Sequence, residues 1–204
     1  MTAMQRRLAW LRRLGAAAVL YAGAAAVGLG SAWWVLKKAP WIHNSVQVGA
    51  WRADLHAGSQ DANMYTRASI ALNALLALDR SETMYFIAAK DDTGNTLRSR
   101  CNYRVTGTPP DARWWSITAY ADDMFLFDMA KGNHSLNGTK AVLDLDGRFA
   151  LTAGGTEYPG TYWLAANGNT AMVLTLRLYN PSPQLQAAPA TLRAPSIVPV
   201  GVCE

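Results

Sequence analysis

Charged side chains are missing from one long segment near the N-terminus. No Asp, Glu, Lys or Arg occurs from Leu14 to Leu36. At about 1.5 Å per residue this segment spans about 34 Å as an α-helix, enough to cross a hydrocarbon core of about 30 Å. Backbone groups in lipid must be hydrogen-bonded within the chain, so a helix is the expected form. The sequence therefore predicts a transmembrane helix over residues 14–36.

Acidic residues are absent from the whole first part of the chain. Residues 1–40 hold six Lys and Arg residues and no Asp or Glu, whereas residues 41–204 hold 13 basic and 14 acidic side chains. The formal charge of +5 therefore belongs to the flanks of the apolar segment. No basic excess is left to neutralise phosphates, which argues against nucleic-acid binding.

The basic residues also predict an orientation. Four arginines precede the apolar segment and two lysines follow it, so the positive-inside tendency places residues 1–13 in the cytoplasm. Residues 41–204 then form one domain on the other side of the membrane. A cleaved signal peptide is the alternative, with Gly30, Ser31 and Ala32 as small residues at its cleavage site. Signal cores are usually about 7–15 residues long, which favours an uncleaved signal-anchor here.

Cysteine is scarce, with Cys101 and Cys203 alone in the sequence. Both fall in the part that is predicted to lie outside the cytoplasm, where disulfides form and persist. We therefore expect a disulfide between them, closing a loop of about 100 residues and contributing about 4 kcal/mol on the chain-entropy model. Two independent thiols are the alternative.

Histidine is equally scarce, and its three positions are His43, His56 and His134. None is spaced with another His, Cys, Asp or Glu as metal ligands are, so we expect no metal and no other cofactor. Ser135 follows His134, but no glycine pattern of a nucleophile elbow surrounds it.

Carboxylate pairs are the remaining catalytic option. Asp122 and Asp123 are adjacent, and Asp144 and Asp146 are spaced to share one face of a strand. Asp146 with the following glycine is also an ordinary hairpin turn, and turn chemistry is the favoured interpretation. The sequence thus contains no clear catalytic constellation, and an enzyme is the less favoured hypothesis.

Helical periodicity recurs only once after the anchor, and the rest of the chain has the pattern of strands. Asp61 is the predicted N-cap of a helix whose apolar stripe runs through Tyr65, Ala68, Leu72, Leu75 and Leu76. The period then changes to two. Strands are predicted at residues 84–89, 97–106, 113–120, 140–145, 148–152, 161–164, 171–179 and 196–200, with an extended surface segment at 180–195.

Short strands between turn residues, with no helices among them, indicate an antiparallel arrangement. The predicted fold class is mainly β: an antiparallel β-sandwich or barrel-like domain with one packed α-helix, preceded by a single N-terminal transmembrane helix.

Several strings of residues carry a resemblance to a known family. They include Tyr-Arg-Val-Thr-Gly at 103–107, Arg-Trp-Trp-Ser-Ile-Thr-Ala-Tyr at 113–120 and Leu-Thr-Leu-Arg-Leu-Tyr at 174–179. In these strings the chain resembles the DUF1214 family, and it looks most like the short, membrane-anchored bacterial form. The resemblance covers most of residues 48–204 and implies a β-sandwich-type domain in the envelope, with no known activity. The Asn-x-x-Ser stretch of the family is displaced here, with Asn133 to Leu136 as the nearest equivalent.

An aromatic cluster with arginines is the most informative candidate site. On the predicted strand 113–120, Arg113 and Trp115 share one face, while Trp114 and Tyr120 share the other. One tryptophan belongs to the core, and the other lies on a sheet face, as on surfaces that stack sugar rings or hold anionic headgroups. Packing residues and ion-paired arginines are the alternative. The candidate ligand-binding residues are Arg67, Arg113, Trp115, Tyr120, Asn133, Trp163 and Arg177.

Together these observations predict a protein of the bacterial inner membrane with a periplasmic binding or scaffolding domain. Its expected partners are the lipid bilayer and an envelope glycan, a lipid or a membrane protein. The alternative is an enzyme acting on envelope glycans or lipids. Two close carboxylates in a cleft would favour the enzyme, and a continuous open aromatic face would favour binding. A third, weaker hypothesis is that the anchor itself packs against another membrane helix through its small residues, glycines 15, 23, 28 and 30 with many alanines.

Overall fold

The computed structural model describes residues 3–38, 45–56, 58–72, 78–128, 131–201 and 203. The chain divides into two units, Met1–Ile42 and His43–Glu204. The first unit contains one long helix, α1 (Ala3–Lys38). Its segment Trp10–Val35 is long and apolar enough to cross a membrane, by length and composition. One candidate span is therefore confirmed at the predicted place.

The second unit is mainly β, with two sheets. The six-stranded sheet has the order β1-β2-β3-β9-β5-β6, and the four-stranded sheet has the order β10-β4-β7-β8. The strands are β1 (Ser45–Val48), β2 (Trp51–Asp54), β3 (Thr83–Ala88), β4 (Asn102–Gly107), β5 (Ala112–Ala121), β6 (Ser135–Asn137), β7 (Phe149–Gly154), β8 (Tyr162–Ala165), β9 (Met172–Pro181) and β10 (Ser196–Val200). The helices of this unit are α2 (Met64–Leu72) and α3 (Pro183–Ala187), and Pro189–Thr191 forms a 3-10 turn.

One hydrophobic core joins side chains from both sheets. Phe86 and Leu176 of the six-stranded sheet and Val105 and Leu151 of the four-stranded sheet are fully buried in it. Along β9 the buried leucines at 174, 176 and 178 alternate with Thr175, Arg177 and Tyr179, the period of two expected of a strand with one core face. The predicted fold class is confirmed.

The sheets meet along one side through the segment that contains β6. Residues 135–137 pair with β5, and Asn133 forms a parallel bridge to Leu164 of β8. Tyr162 of β8 also donates its hydroxyl to the carbonyl of Ser135, at 3.1 Å. The short strand β6, which the sequence pattern did not predict, therefore connects the two sheets.

Strand pairing differs from the prediction at one place. β8 pairs in parallel with β7, with Leu151 opposite Tyr162, so a purely antiparallel arrangement is wrong. β8 has only four residues, and the seven residues 155–161 extend up to about 23 Å, enough to return alongside so short a strand without a helix.

The predicted strand at residues 97–106 divides between the sheets. Leu97 still belongs to the first sheet, where its N–H donates to the carbonyl of Ala89 and its carbonyl accepts from Met172. The chain then turns, with the N–H of Cys101 donating to the carbonyl of Arg98, and β4 begins in the second sheet. A single strand at this place is therefore wrong.

Residues 140–145 form a hairpin loop instead of the predicted strand. One carboxylate oxygen of Asp144 accepts the N–H groups of Asp146 and Arg148, at 3.0 and 2.8 Å. Only Leu143 makes a ladder contact, an isolated bridge to Phe149. The side chain of Asp144 thus stabilises the turn, and Leu145 at its tip is fully exposed.

Residues 180–195 are not an extended segment, because they contain α3 and the 3-10 turn. The hydroxyl of Ser182 accepts the N–H of Leu185 at 3.2 Å, and Pro183 occupies the first position of the helix. Leu185 and Leu192 are buried. The capping serine and the proline stabilise a helix start, which outweighs the low helical tendency of the rest of this segment.

Helix α2 begins two residues later than the predicted N-cap Asp61 implies. Asn63 is the cap, with its side-chain oxygen accepting the N–H of Thr66 at 2.9 Å. Thr66 is buried while Tyr65 is 41% exposed, so the buried face lies one residue from the predicted stripe. Residues 75 and 76 of that stripe lie outside the described residues.

Candidate binding site

The six-stranded sheet has a second face, opposite the core, that carries aromatic, hydroxyl and basic side chains. In the β5–β9 register Trp114 lies opposite Tyr179, Ser116 opposite Arg177, and Thr118 opposite Thr175. On the other side of β9, Tyr85 lies opposite Arg177. We call this surface the outer face; its members are Tyr85, Trp114, Ser116, Thr118, Tyr120, Thr175, Arg177 and Tyr179.

Arg177 is at the centre of the outer face and is half-buried. Its Nη2 donates to the hydroxyl of Tyr120 at 2.9 Å, and its Nη1 donates to the hydroxyl of Thr118 at 3.4 Å. The guanidinium carbon also lies 5.3 Å from the centre of the Tyr120 ring, a cation–π distance. Among the described residues no carboxylate pairs with Arg177. The structure therefore brings together two candidate residues, Tyr120 and Arg177, around a cation that has only neutral partners.

Trp114 and Tyr179 form an aromatic pair beside this cation. Their ring centres are 5.1 Å apart and the rings are tilted by 58°. The indole N–H of Trp114 donates to the hydroxyl of Thr139 at 3.1 Å, which fixes the orientation of the ring. Trp114 keeps 37% of its surface exposed. It is therefore the tryptophan of β5 that a ligand can reach.

Two buried hydroxyls on the same face lack a partner among the described residues. Thr175 Oγ1 and Thr83 Oγ1 are buried and accept or donate no hydrogen bond there. Thr175 pairs with Thr118, and this pair lies between the pairs Ser116–Arg177 and Tyr120–Val173. The side chain of Arg177 therefore passes over Thr175 to reach the hydroxyl of Tyr120. A buried hydroxyl without a partner costs about 1–3 kcal/mol, so each such group needs an explanation.

The structure places Trp115 in the core. Its exposure is 4%, and its ring centre lies 4.6 Å from that of Phe149 across the two sheets. Arg113 is exposed near the start of β5. Asn180 lies opposite this position on β9 and has a positive φ of 46°. Trp115 thus packs between the sheets, away from Arg177. The sequence analysis correctly placed Trp114 and Tyr120 on one face, but it chose Trp115 instead of Trp114 as the candidate ligand-binding residue.

Asn133 and Trp163 form a separate cluster next to β8. The N–H of Asn133 donates to the carbonyl of Trp163 at 3.3 Å, and the indole N–H of Trp163 donates to the carbonyl of Gly154 at 3.0 Å. By its pairing with Thr152, Trp163 belongs to the four-stranded sheet. Asn133 therefore joins the segment before β6 to β8, Trp163 bonds within the second sheet, and neither residue is part of the outer face.

Arg67 contacts the loop that precedes its own helix. Its Nε donates to the carbonyl of Ala62 at 2.9 Å and its Nη2 to the carbonyl of Gln60 at 2.8 Å. Its partners in the described part of the chain are main-chain carbonyls, and not the carboxylate that the alternative of ion-paired arginines requires.

The residues considered for catalysis have structural surroundings. Asp144 caps its own hairpin loop, and Asp123 accepts the N–H of Phe125 at 3.0 Å in an exposed turn. His134 is exposed, and among the described residues no acid pairs with its imidazole. No group of three or more His, Cys, Asp or Glu residues that could hold a metal is found in the described ranges. His43 lies outside them.

Three ionisable groups of the domain have pKa values that are clearly shifted by their surroundings. The N–H and the hydroxyl of Ser81 lower the pKa of the exposed Asp79. Burial alone would raise the pKa of Asp91, but the Thr93 hydroxyl and the N–H groups of Asn95, Thr93 and Gly94 outweigh it and hold that pKa below its ordinary value. Burial raises the pKa of the Tyr162 hydroxyl. None of the three groups lies on the outer face.

Cys101 and Cys203 lie at disulfide distance. Their Cα atoms are 5.1 Å apart across a sequence separation of 102 residues, within the usual range for a bridged pair. Cys101 precedes β4 and Cys203 follows β10, and these two strands are neighbours. A bridge here would fasten the edge strand β10 to the second sheet.

Comparisons with known proteins give a family and a fold. The crystal structure of the VPA0106 protein from Vibrio parahaemolyticus is similar with a TM-score of 0.56 at 20% identity, covering 69% of this chain and 36% of that chain. An uncharacterized protein from Burkholderia cenocepacia gives a TM-score of 0.38 at 15% identity, covering 58% of this chain and 29% of that one.

The chain thus spans about a third of the length of these solved structures. No curated protein matches the sequence. The profile of DUF1214, described as a protein of unknown function, matches residues 82–183, half of the sequence and the whole of the region from β3 to β9. The chain therefore belongs to the DUF1214 family.

Proposed function

We propose that this protein is a membrane-anchored binding protein of the bacterial envelope, with its β domain in the periplasm. The outer face of the six-stranded sheet is its binding surface. The single observation that carries the proposal is this face, where the exposed Trp114 and its partner Tyr179 adjoin a half-buried arginine that has no carboxylate partner among the described residues. Surfaces that bind ligands combine apolar contact area with a few polar groups placed to orient the ligand.

The anchor is supported by the exposure of α1. Val19, Leu20 and Leu29 each keep more than 70% of their surface uncovered by protein. Burying such a side chain in an apolar medium is worth about 1.5–3 kcal/mol, so a helix of this kind is stabilised by lipid and not by water. With the basic residues concentrated before the span, the β domain lies on the periplasmic side.

The periplasmic setting is further supported by the cysteine pair. A disulfide persists in the oxidising periplasm and is rare in the cytoplasm of ordinary bacteria. Cys101 and Cys203 are at the distance that a bridge requires.

Mass spectrometry of molecules that co-purify with the full-length, detergent-extracted protein tests the binding role. We expect a small molecule, glycan or lipid to be retained by the wild type and by Arg104→Gln, an exposed position on the second sheet. Trp114→Ala should lose it. Equal retention by Trp114→Ala, or retention of nothing by the wild type, would contradict the proposal.

A further inference from the structure

Arg177 has N–H groups without a partner among the described residues, at a position where solvent screens its charge only partly. A guanidinium carries five N–H groups, and within the described residues two of them donate, to Thr118 and Tyr120, so three have no partner there. The side chain is half-buried, which weakens solvent screening of its charge. Because no described carboxylate neutralises it, an anion bound here would meet an uncompensated charge.

Two threonine hydroxyls lie beside Arg177 on the same face. Thr118 accepts from Arg177 and keeps its own O–H free to donate, and Thr175 directly opposite it has no partner at all among the described residues. The side chain of Arg177 passes over both threonines to reach the hydroxyl of Tyr120. Thr118 is 7% exposed and Thr175 is fully buried, so the Arg177 guanidinium, and not these hydroxyls, is the donor group that a ligand on this face can reach.

The aromatic pair lies on the same two strands, two residues away from the Ser116–Arg177 pair. Trp114 is two residues from Ser116, and Tyr179 is two residues from Arg177, a displacement of about 6.8 Å along each strand. This is the scale of one sugar ring. Trp114 is exposed and held in place by Thr139, so it offers a fixed apolar surface beside the cation.

From this juxtaposition we infer that the outer face binds an acidic sugar. The ring lies against Trp114 and Tyr179, and its carboxylate or phosphate substituent accepts from the N–H groups of Arg177. Guanidinium forks match both kinds of anion. The inference deepens the proposed function and rests on it, because it names the chemical class of the ligand for the same surface.

Isothermal titration of the full chain tests this inference, in a detergent without a sugar headgroup. The probes are galacturonate, glucose 1-phosphate, galactose and inorganic phosphate. We expect both acidic sugars to bind about tenfold or more tightly than galactose, since hydrogen bonds to a charged partner are the strong ones. Inorganic phosphate should bind more weakly than glucose 1-phosphate, because it has no ring for the aromatic pair.

Arg177→Gln should weaken both acidic sugars about tenfold or more and leave galactose unchanged. Arg104→Gln, the matched arginine of the second sheet, should bind every probe like the wild type. Near-UV circular dichroism checks that Arg177→Gln is folded. If it is not, Arg177→Lys serves instead: it keeps the charge but loses the fork, and should weaken the acidic sugars while galactose stays unchanged.

Galactose bound as tightly as galacturonate, or an Arg177 variant that binds acidic sugars like the wild type, would overturn the inference. Failure of both acidic sugars to bind would also overturn it. In that case a neutral molecule that co-purifies with the wild type and is lost in Trp114→Ala would still leave the proposed binding function standing. The two proposals can therefore fail separately.

Discussion

At the scale of single residues, Trp114 and Trp115 show what alternation predicts and what it leaves open. The period of two correctly separates the adjacent tryptophans onto opposite faces of β5. It does not say which face meets the core. Arg113 shares the parity of Trp115, which made that face look polar in the sequence, but Arg113 lies at the exposed start of the strand. The partner strand β9 determines which face meets the core, because Trp115 pairs with the buried Leu178.

The two tryptophans should therefore respond differently to truncation. Trp115→Ala removes a buried ring from between the sheets, and we expect the free energy of unfolding to fall by about 3–5 kcal/mol. Trp114→Ala, at a position with 37% exposure, should lose much less stability. Guanidinium denaturation of the full chain in detergent, followed by near-UV circular dichroism, measures both. Equal losses for the two variants would contradict this placement.

Asp91 gives a second residue-level prediction, in its dependence on pH. Its carboxylate accepts the Thr93 N–H and hydroxyl and the Asn95 N–H, at 2.9, 2.6 and 3.0 Å, which more than offsets burial and lowers its pKa. A group whose pKa is lower in the folded state stabilises the fold above its unfolded pKa, and that contribution disappears as the pH falls through the folded pKa.

Wild type and Asp91→Asn should therefore differ most in free energy of unfolding above about pH 5, and the difference should shrink below the ordinary carboxyl pKa of 3.8. Urea titrations at a series of pH values check this. Asp79, whose pKa is also lowered, is present in both proteins and cancels in the comparison. A difference that does not change with pH would refute the role of the Asp91 carboxylate.

At the scale of elements, the strands with the longest alternation were predictable and the capped and bridged segments were not. The strand predicted at residues 171–179 matches β9, which ends two residues later, at Pro181. It was predictable because four apolar side chains alternate along it. Residues 140–145 have a similar apolar content, but the side chain of Asp144 accepts the N–H groups of Asp146 and Arg148 and closes a turn, which leaves only the isolated bridge between Leu143 and Phe149. β6 has three residues, too few for a period to be visible.

The cysteine pair belongs to this scale because a bridge between Cys101 and Cys203 would fasten one element to another. Cys203→Ser should lower the free energy of unfolding by up to about 4 kcal/mol, since a bridge across about 100 residues restricts the unfolded chain. Cys203 is exposed, so the substitution removes little else. The wild type treated with a reductant should match Cys203→Ser, and the variant should be insensitive to the reductant. A variant as stable as the untreated wild type would show that no bridge contributes.

At the scale of the whole molecule, most of what the sequence predicted was the architecture. A charge-free segment of sufficient length gave the candidate span, and the strings around Arg113 and Leu174 gave the family. The binding surface was only partly predictable. It depends on which strands are neighbours, and the β5–β9 pairing that joins Trp114 to Tyr179 and Tyr120 to Arg177 is a long-range contact between residues about 60 apart in sequence.

Thiol labelling of intact spheroplasts tests the central claim most directly, that one span holds the β domain on the periplasmic side. With no free cysteine in the wild type, Leu145→Cys at the fully exposed hairpin tip and Met4→Cys near the N-terminus each introduce a single reactive thiol. A membrane-impermeant maleimide should label Leu145→Cys and leave Met4→Cys unlabelled until the membrane is dissolved in detergent. Labelling of Met4→Cys in intact spheroplasts, or protection of Leu145→Cys, would contradict the account.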